Sequence, residues 1–355
     1  MRREKARLTH VARPGPTLSD VARAAGVTVG TASKALNGQG KLRAETRALV
    51  QDVATRLGFR PNGLAQSLLR GRTFTVGLLS TDKIGRFSIP LVTGIEDVLG
   101  DAQISVFLCN TLGDPTSERH HIDSLLSKQV DGIIVAADGT NVRDPIDVGN
   151  VTVPTLYVFT RVETPDACCL LTDDEQGARL AIEHLLGLGR RRIAHITGPV
   201  DFVAAQMRAK SMRRVLTEAG MPFVEKNVLS GPWQESWGYE AANTLLERDS
   251  TIDAIFCGND QIARGAEDAL RERGVRVPDD IAIIGFDNWE TIAEAARPPL
   301  TTVDMNLHEL GRSAGAKILA MIEGEQDAGV IRYPCSLIIR ESCGATSKRS
   351  KHVEG

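Results

Sequence analysis

The chain has 355 residues, 42% of them hydrophobic and 25% charged, with a net charge of -3. That composition is ordinary for a globular protein with room for two or three domains. It holds no run of 18 or more apolar residues, which excludes a membrane-spanning helix, and its charged N-terminus lacks the apolar stretch of a secretory leader. The small net charge conceals an asymmetry: residues 1–72 carry 14 Lys or Arg against 4 Asp or Glu, a formal +10, which leaves -13 for the remainder. A polyanionic partner is therefore expected at the head alone.

Residues 1–15 read as a flexible basic tail, of the kind that adds salt-sensitive phosphate contacts. Next, Thr17 to Asn37 predicts two short helices broken at Gly26. Thr17 with Asp20 forms a capping box, and Leu18, Val21, Ala22 and Ala25 share one apolar face. Thr28 caps a second helix whose buried face is Ala32, Ala35 and Leu36. Val29, Gly30, Thr31, Ser33 and Lys34 are left facing outward, a short polar face suited to a major groove. A third helix over Glu45 to Leu57 is expected to bury Leu49, Val53 and Leu57, and Gly58 ends it. Asn62 can cap a two-turn helix that carries Leu68. That leucine suits either a dimer contact or a wedge in a minor groove.

At Thr73 the pattern changes to apolar runs alternating with helices, which predicts parallel sheets covered on both faces. Strands are expected at Phe74–Ser80, Ile104–Cys109, Gly132–Ala136 and Thr155–Phe159. The alternation then restarts, with strands at 192–197, 228–229, 254–257 and 281–286. A return segment at Thr301–Val303, a helix over His308–Ile322 and one last strand over Tyr333–Arg340 complete it. The fold expected is an N-terminal all-α helix-turn-helix head followed by an α/β core of two doubly wound parallel-sheet lobes with a cleft between them. Cys109, Cys168, Cys169, Cys257, Cys335 and Cys343 form no CxxC pair and read as buried thiols of a reducing compartment. No His–Cys cluster has metal spacing, and neither GxGxxG after the first strand, GxxxxGK[ST] nor GxSxG is present. No metal, cofactor or catalytic group is therefore expected, against the alternatives of an enzyme on the same sheets or a transporter's solute-binding protein.

The ordered motifs resemble the LacI/GalR family of bacterial transcription regulators across roughly residues 16–342. The matching stretches are Leu18-Ser-Asp-Val-Ala-Arg-Ala-Ala-Gly-Val, Ala35-Leu-Asn-Gly, Leu57-Gly-Phe-Arg-Pro-Asn and Leu64-Ala-Gln-Ser-Leu, then Asp131-Gly-Ile-Ile, Gly258-Asn-Asp, the run from Gly274 to Asp287, and Pro299-Leu-Thr-Thr-Val. Each is weak alone; their order and spacing are specific. The resemblance implies a head at 16–61, a hinge helix and linker at 62–72, a periplasmic-binding-protein-like core at 73–342 and a flexible tail at 343–355. Within the core it implies lobe 1 at about 73–171 plus 302–330, and lobe 2 at about 172–300 plus 331–342.

It also implies a cytoplasmic, nucleoid-associated homodimer. Such a dimer represses transcription from a pseudo-palindromic double-stranded operator and is controlled allosterically by a sugar, sugar acid or sugar phosphate. An activator or a co-repressor-dependent regulator is the alternative. Thr28, Val29, Gly30, Thr31, Ser33 and Lys34 then become recognition-helix positions, Thr17, Asn37 and Asn62 phosphate contacts, and Leu68 the hinge leucine. One departure stands at Arg43, where the family has a capping serine for helix three. For the effector, the resemblance and the strand-end rule together select Phe87, Ser88, Asn110, Arg161, Arg208, Trp233, Asn259 and Asp287. Arg161 and Arg208 can clamp an anion or bond hydroxyls. Asp260 and Asp279 are expected to be structural, and Asp173 and Asp174 to cap a helix.

Overall fold

Thr17 begins the head as the sequence requires. Its side chain accepts from the Asp20 N–H at 3.3 Å and its own N–H donates to Asp20 Oδ2 at 2.9 Å, which fixes α1 (Leu18–Ala24). In the computed structural model, which describes residues 15–38, 40–60 and 71–345, Gly26 takes φ +65° and turns the chain into α2 (Val29–Leu36). Thr28 caps α2 by accepting from Thr31 N–H at 3.2 Å. Helix α3 (Ala44–Leu57) starts at Arg43 with no side-chain cap, as the missing serine predicts, and ends at left-handed Gly58. Arg47 compensates by donating to the carbonyls of Gly38 and Gly40 at 3.2 and 3.3 Å, which ties the preceding loop to α3.

The α3 stripe differs from expectation. Val50, Val53 and Ala54 are buried against Val21, Ala22, Ala25, Ala32 and Ala35, while Leu49 and Leu57 are exposed. The helix is rotated by one position because small side chains let three short helices approach closely, and a leucine at the centre would hold them apart. Asn62, Leu68 and the tail before residue 15 lie outside the described residues.

Residues from Phe74 onward form a separate unit built of two six-stranded sheets. Lobe 1 holds β1 (Thr75–Ser80), α4 (Ser88–Asp101), β2 (Ser105–Asn110), α5 (Pro115–Ser127), β3 (Gly132–Ala136), β4 (Thr155–Val158) and β5 (Cys168–Thr172). Lobe 2 holds α6 (Asp174–Gly187), β6 (Ile193–Thr197), α7 (Val203–Glu218), β7 (Val228–Ser230), α8 (Glu235–Arg248), β8 (Ala254–Cys257), α9 (Asp260–Glu272), β9 (Ala282–Asp287), the short α10 (Glu290–Ala293) and β10 (Thr301–Asp304). The chain returns to lobe 1 as α11 (Leu307–Ile322) and β11 (Gly329–Tyr333), then ends in lobe 2 as β12 (Ser336–Ile338). The sheet orders are β11-β5-β4-β3-β1-β2 and β12-β10-β9-β8-β6-β7, parallel throughout except for β10 with β12.

The lobe boundaries expected near 301/302 and 330/331 therefore fall inside β10 and β11, and the chain crosses after Asp304 and after Tyr333. The single last strand expected at Tyr333–Arg340 is split, because Pro334 lacks the N–H that would continue a ladder. With the first passage between lobes, at Asp173 between β5 and α6, these make three crossings, and they are laced together. Gln176 Oε1 accepts from Cys335 N–H at 2.9 Å, Asn306 Nδ2 donates to Pro334 O at 2.8 Å, and Asp173 N–H donates to Tyr333 O at 2.9 Å. All six cysteines are free, five of them buried and Cys109 half-buried.

Each lobe repeats one packing device. In lobe 1 a Cβ on Gly94 of α4 would run into the backbone at His308, and one on Gly311 of α11 would run into the Leu91 carbonyl. In lobe 2 the pair is Gly238 of α8 against the Ile262 carbonyl and Gly265 of α9 against the Glu235 carbonyl. Here helices touch backbone to backbone, so no methyl fits without separating them. Gly265→Ala and Gly94→Ala are each expected to cost about 3 kcal/mol, read as a lowered urea midpoint, while Gly187→Ala, which meets nothing within 4 Å, costs far less. Glu267 on α9 supplies a pH-dependent counterpart. Both its carboxyl oxygens are buried without a hydrogen-bond partner among the described residues, and burial pushes its pKa up to about 8. The unfolded chain loses this proton near pH 4.5 and the folded chain only near pH 8, so stability falls as pH rises between them. Thermal melts are expected to show Glu267→Gln gaining little at pH 5 and progressively more up to about pH 8, where the gain levels off.

Candidate nucleic-acid interface and interlobe cleft

On the head, the outward face of α2 carries Val29, Gly30 and Lys34 exposed, with Thr31 and Ser33 half-buried beside them. Thr28 and Thr31 share a hydroxyl contact of 2.9 Å, and Asn37 Nδ2 donates to Ser33 Oγ at 3.3 Å. Thr17 is exposed at the N-terminus of α1, where the helix dipole favours a phosphate. The face offers one cation, small hydroxyls and an exposed valine, chemistry for phosphate contacts and for a thymine methyl.

In the core, Asp82 organises the loop after β1. Its Oδ1 accepts from Ile84 and Gly85 N–H at 3.2 and 3.1 Å, and its Oδ2 from Phe87 and Ser88 N–H at 2.7 and 2.8 Å. Wrapped around this carboxylate, the loop presents Arg86 and Phe87 to lobe 2. There Arg86 donates to Gln261 Oε1 at 2.9 Å and ion-pairs with Asp287, their side chains only 8% and 4% exposed. Its guanidinium lies 4.5 Å from the Phe87 ring centroid and 5.2 Å from that of Trp289. Burial lowers the Arg86 pKa to about 10, partly offset by the Asp260 charge, so the group stays cationic.

Opposite, Arg208 on α7 lies 3.5 Å from the Phe286 ring centroid. Its Nε and Nη2 donate to Asp174 Oδ1 at 2.9 and 2.6 Å, and its Nη1 donates to the Gly258 carbonyl. The second Asp174 oxygen accepts from Thr140 of lobe 1 at 3.2 Å. Asn141 Oδ1 caps α7 across the same gap, accepting from Val203 N–H at 2.9 Å. The Trp233 ring rests over Gly198 and Gly258, where any Cβ would collide with it, and Phe202 meets it edge-on at 6.0 Å. These groups enclose a cavity of about 480 Å³ lined by Phe87, Phe159, Phe202, Arg208, Trp233, Asn259 and Asp287 among others. A second space of about 370 Å³ continues from it, sharing Lys83, Asp138, Gly139 and Phe202.

Five of the eight cleft residues selected from sequence thus line one cavity: Phe87, Arg208, Trp233, Asn259 and Asp287. Asn259 is also the cap of α9, its Oδ1 accepting from Ile262 N–H at 2.8 Å, which leaves its Nδ2 as the remaining donor. Three lie elsewhere. Ser88 is turned into the Asp82 nest, its Oγ 3.1 Å from Oδ2. Asn110 braces the same loop, donating to Asp82 O at 2.7 Å. Arg161 pairs with Glu163, because Phe159 takes φ +56° just past β4 and turns the chain so that Phe159 lines the cavity instead. Asp173 caps α6 as expected, and Asp279 pairs with Arg276 at 3.4 Å. Asp260 is structural too, holding Trp289 N–H and Thr302 Oγ1 at 2.6 and 2.5 Å, with burial pushing its pKa up to about 7.

Two family models match the chain: "Bacterial regulatory proteins, lacI family" over residues 17–62 and "Periplasmic binding protein-like domain" over residues 182–343. The chain is 31% identical to catabolite control protein A of Priestia megaterium over 92% of its own length and 98% of that protein. It is 33% identical to the ribose operon repressor of Escherichia coli over 84% of this chain and 90% of that one. The chain belongs to the LacI family of bacterial transcription regulators. Among solved structures it is similar to the lac repressor dimer bound to operator and the anti-inducer ONPF, with TM-score 0.76 and 27% identity, covering 94% of this chain and 100% of that one. The transcriptional regulator CelR–cellobiose complex is also similar, with TM-score 0.66 and 30% identity over 92% of this chain and 99% of the other.

As a LacI-family member the chain is a DNA-binding transcription regulator with an effector-binding core, and its relatives are regulators, not enzymes. Sequence reasoning missed Arg86, Asp82, Gln261 and Phe159. The Gly85-Arg86-Phe87 stretch after an apolar strand was the available signal for Arg86, but its partners lie 175 and 201 positions downstream. Asp174→Asn is expected to lower stability by about 3–5 kcal/mol in denaturant titration at pH 7, because it leaves the buried Arg208 cation uncompensated.

Proposed function

We propose that this LacI-family chain is a sequence-specific repressor acting as a homodimer on a pseudo-palindromic operator, its DNA affinity set by a small sugar or sugar derivative held between the lobes. The cleft carries this reading: four aromatic rings, two buried arginines and several amides converge from both lobes on one cavity large enough for such a ligand. Relatives named as repressors, and solved relatives bound to operator or to cellobiose, support it. The polar face of α2, with Lys34, reads the operator from the major groove, while Thr17 and Asn37, with Asn62, hold phosphates. Leu68 acts at the operator centre. The regulator works in the cytoplasm, at the nucleoid.

Closure of the lobes is the coupled event. The effector must bind one lobe arrangement better than the other, because only a difference in affinity shifts the equilibrium. Selection from a random DNA pool with the full-length protein, followed by anisotropy titration, tests the DNA half. A palindromic site bound far more tightly than scrambled DNA is expected. Lys34→Ala is expected to weaken operator binding and to reduce the salt slope by about 1. Failure to enrich any sequence would overturn the reading. A thermal-shift screen of sugars, with operator titration repeated in the presence of each hit, tests the effector half.

A further inference from the structure

The cleft is wired so that both of its buried cations are already neutralised. Arg208 is bound to Asp174, and Arg86 is bound to Asp287 and Gln261. Two further cations line these spaces among the described residues: Arg143 is paired with Glu118 at 2.7 Å, and Lys83 is exposed at the rim, where Asp138 lines the same two spaces and water screens both. A family resemblance alone leaves sugar, sugar acid and sugar phosphate equal. The geometry points to a narrower class: the cleft takes an uncharged saccharide, and the Arg86–Asp287 pair, closed across the two lobes, is the residue pair that turns anionic sugars away. This rests on the effector reading above.

To form a two-point charge pair with either arginine, a carboxylate or phosphate entering this cavity would have to displace Asp287 or Asp174. Both carboxylates are fixed in place and less than a tenth exposed, so displacement strands a buried charge. A neutral hydroxyl has no such conflict. It can donate to the Asp287 carboxylate and accept from Arg86 Nε, a buried N–H with no partner among the described residues. The aromatic rings then choose between neutral ligands. Phe202 stands at 77° to Trp233 and Phe159 at 41° to Phe87, so neither contacting pair presents the flat, coplanar surface that a flat heterocycle stacks on. Rings at such angles form a corner for the C–H faces of a puckered ring.

The test compares paired probes by calorimetry on the full-length protein: glucose, glucuronate and glucose 6-phosphate; galactose and galacturonate; ribose and ribose 5-phosphate; cellobiose; and adenosine as the planar control. For whichever skeleton binds, the neutral member is expected to bind at least about tenfold more tightly than its charged partners. Asp287→Asn frees Arg86 and is expected to shrink or invert that ratio, whereas Arg86→Met is expected to give no gain for anions. Should Asp287→Asn fail to fold by circular dichroism, the wild-type ratio decides alone. A wild-type protein that prefers any charged member, or that binds adenosine over every sugar, overturns the inference and leaves an effector-controlled regulator standing. Binding of operator DNA with no saccharide bound at all removes the sugar-effector reading and this inference with it.

Discussion

Arg208 has its guanidinium beneath the Phe286 ring and its side chain 5% exposed, and a cation so far from water persists only with a partner. Asp174 is that partner. It sits in the first turn of α6, where the helix dipole already favours an anion. Its other oxygen binds Thr140 from the opposite lobe, so one carboxylate satisfies the cation and the interlobe contact together. The Arg86–Asp287 pair differs in spanning the two lobes, its cation coming from lobe 1 and its carboxylate from lobe 2. Lobe closure and charge burial are therefore one event. Moving the lobes apart exposes Arg86 and Asp287 to water at the same time as it opens the cavity.

Holding Asp287 in place strains the backbone. Asp287 takes φ +105° and Asn288 φ +50°, conformations that non-glycine residues avoid. The surroundings over-determine them. Asn288 donates to Asp304 Oδ2 at 3.1 Å and accepts from Arg340 Nη2 at 3.0 Å, and its N–H reaches Thr302 Oγ1 at 3.3 Å. Asp260 then fixes the next residue through Trp289 N–H at 2.6 Å. Strand β9 would otherwise carry the Asp287 side chain on with the sheet. The bend aims it at Arg86, and the buried acid at position 260 is structural because it holds that bend.

The head was legible because its signals are local. Thr17, Asp20, Gly26 and Thr28 act within four residues of themselves, and the structure shows each doing so. The core strands were legible as apolar runs, since strands buried on both faces leave no other pattern. What was not legible depends on rotation or on distance. Leu49 and Val50 are equal candidates by periodicity, and only close packing with α1 and α2 selects the valine. Arg161 follows a strand as the crevice rule asks, yet a left-handed residue two positions earlier sends it out. Split strands such as β11 and β12 read as one run because the proline between them is flanked by residues suited to either sheet.

The glycine contacts decide where this protein can bend. In each lobe two helices meet through bare backbone, α4 with α11 and α8 with α9, so no layer of side chains lies between them to slide. Motion between lobes is therefore left to the three crossings at Asp173, at Met305–Asn306 and at Pro334–Cys335. Those crossings are joined by the Gln176, Asn306 and Asp173 hydrogen bonds, so they turn together as one hinge. A ligand that alters the Arg86–Asp287 closure thus acts on a pair of rigid bodies.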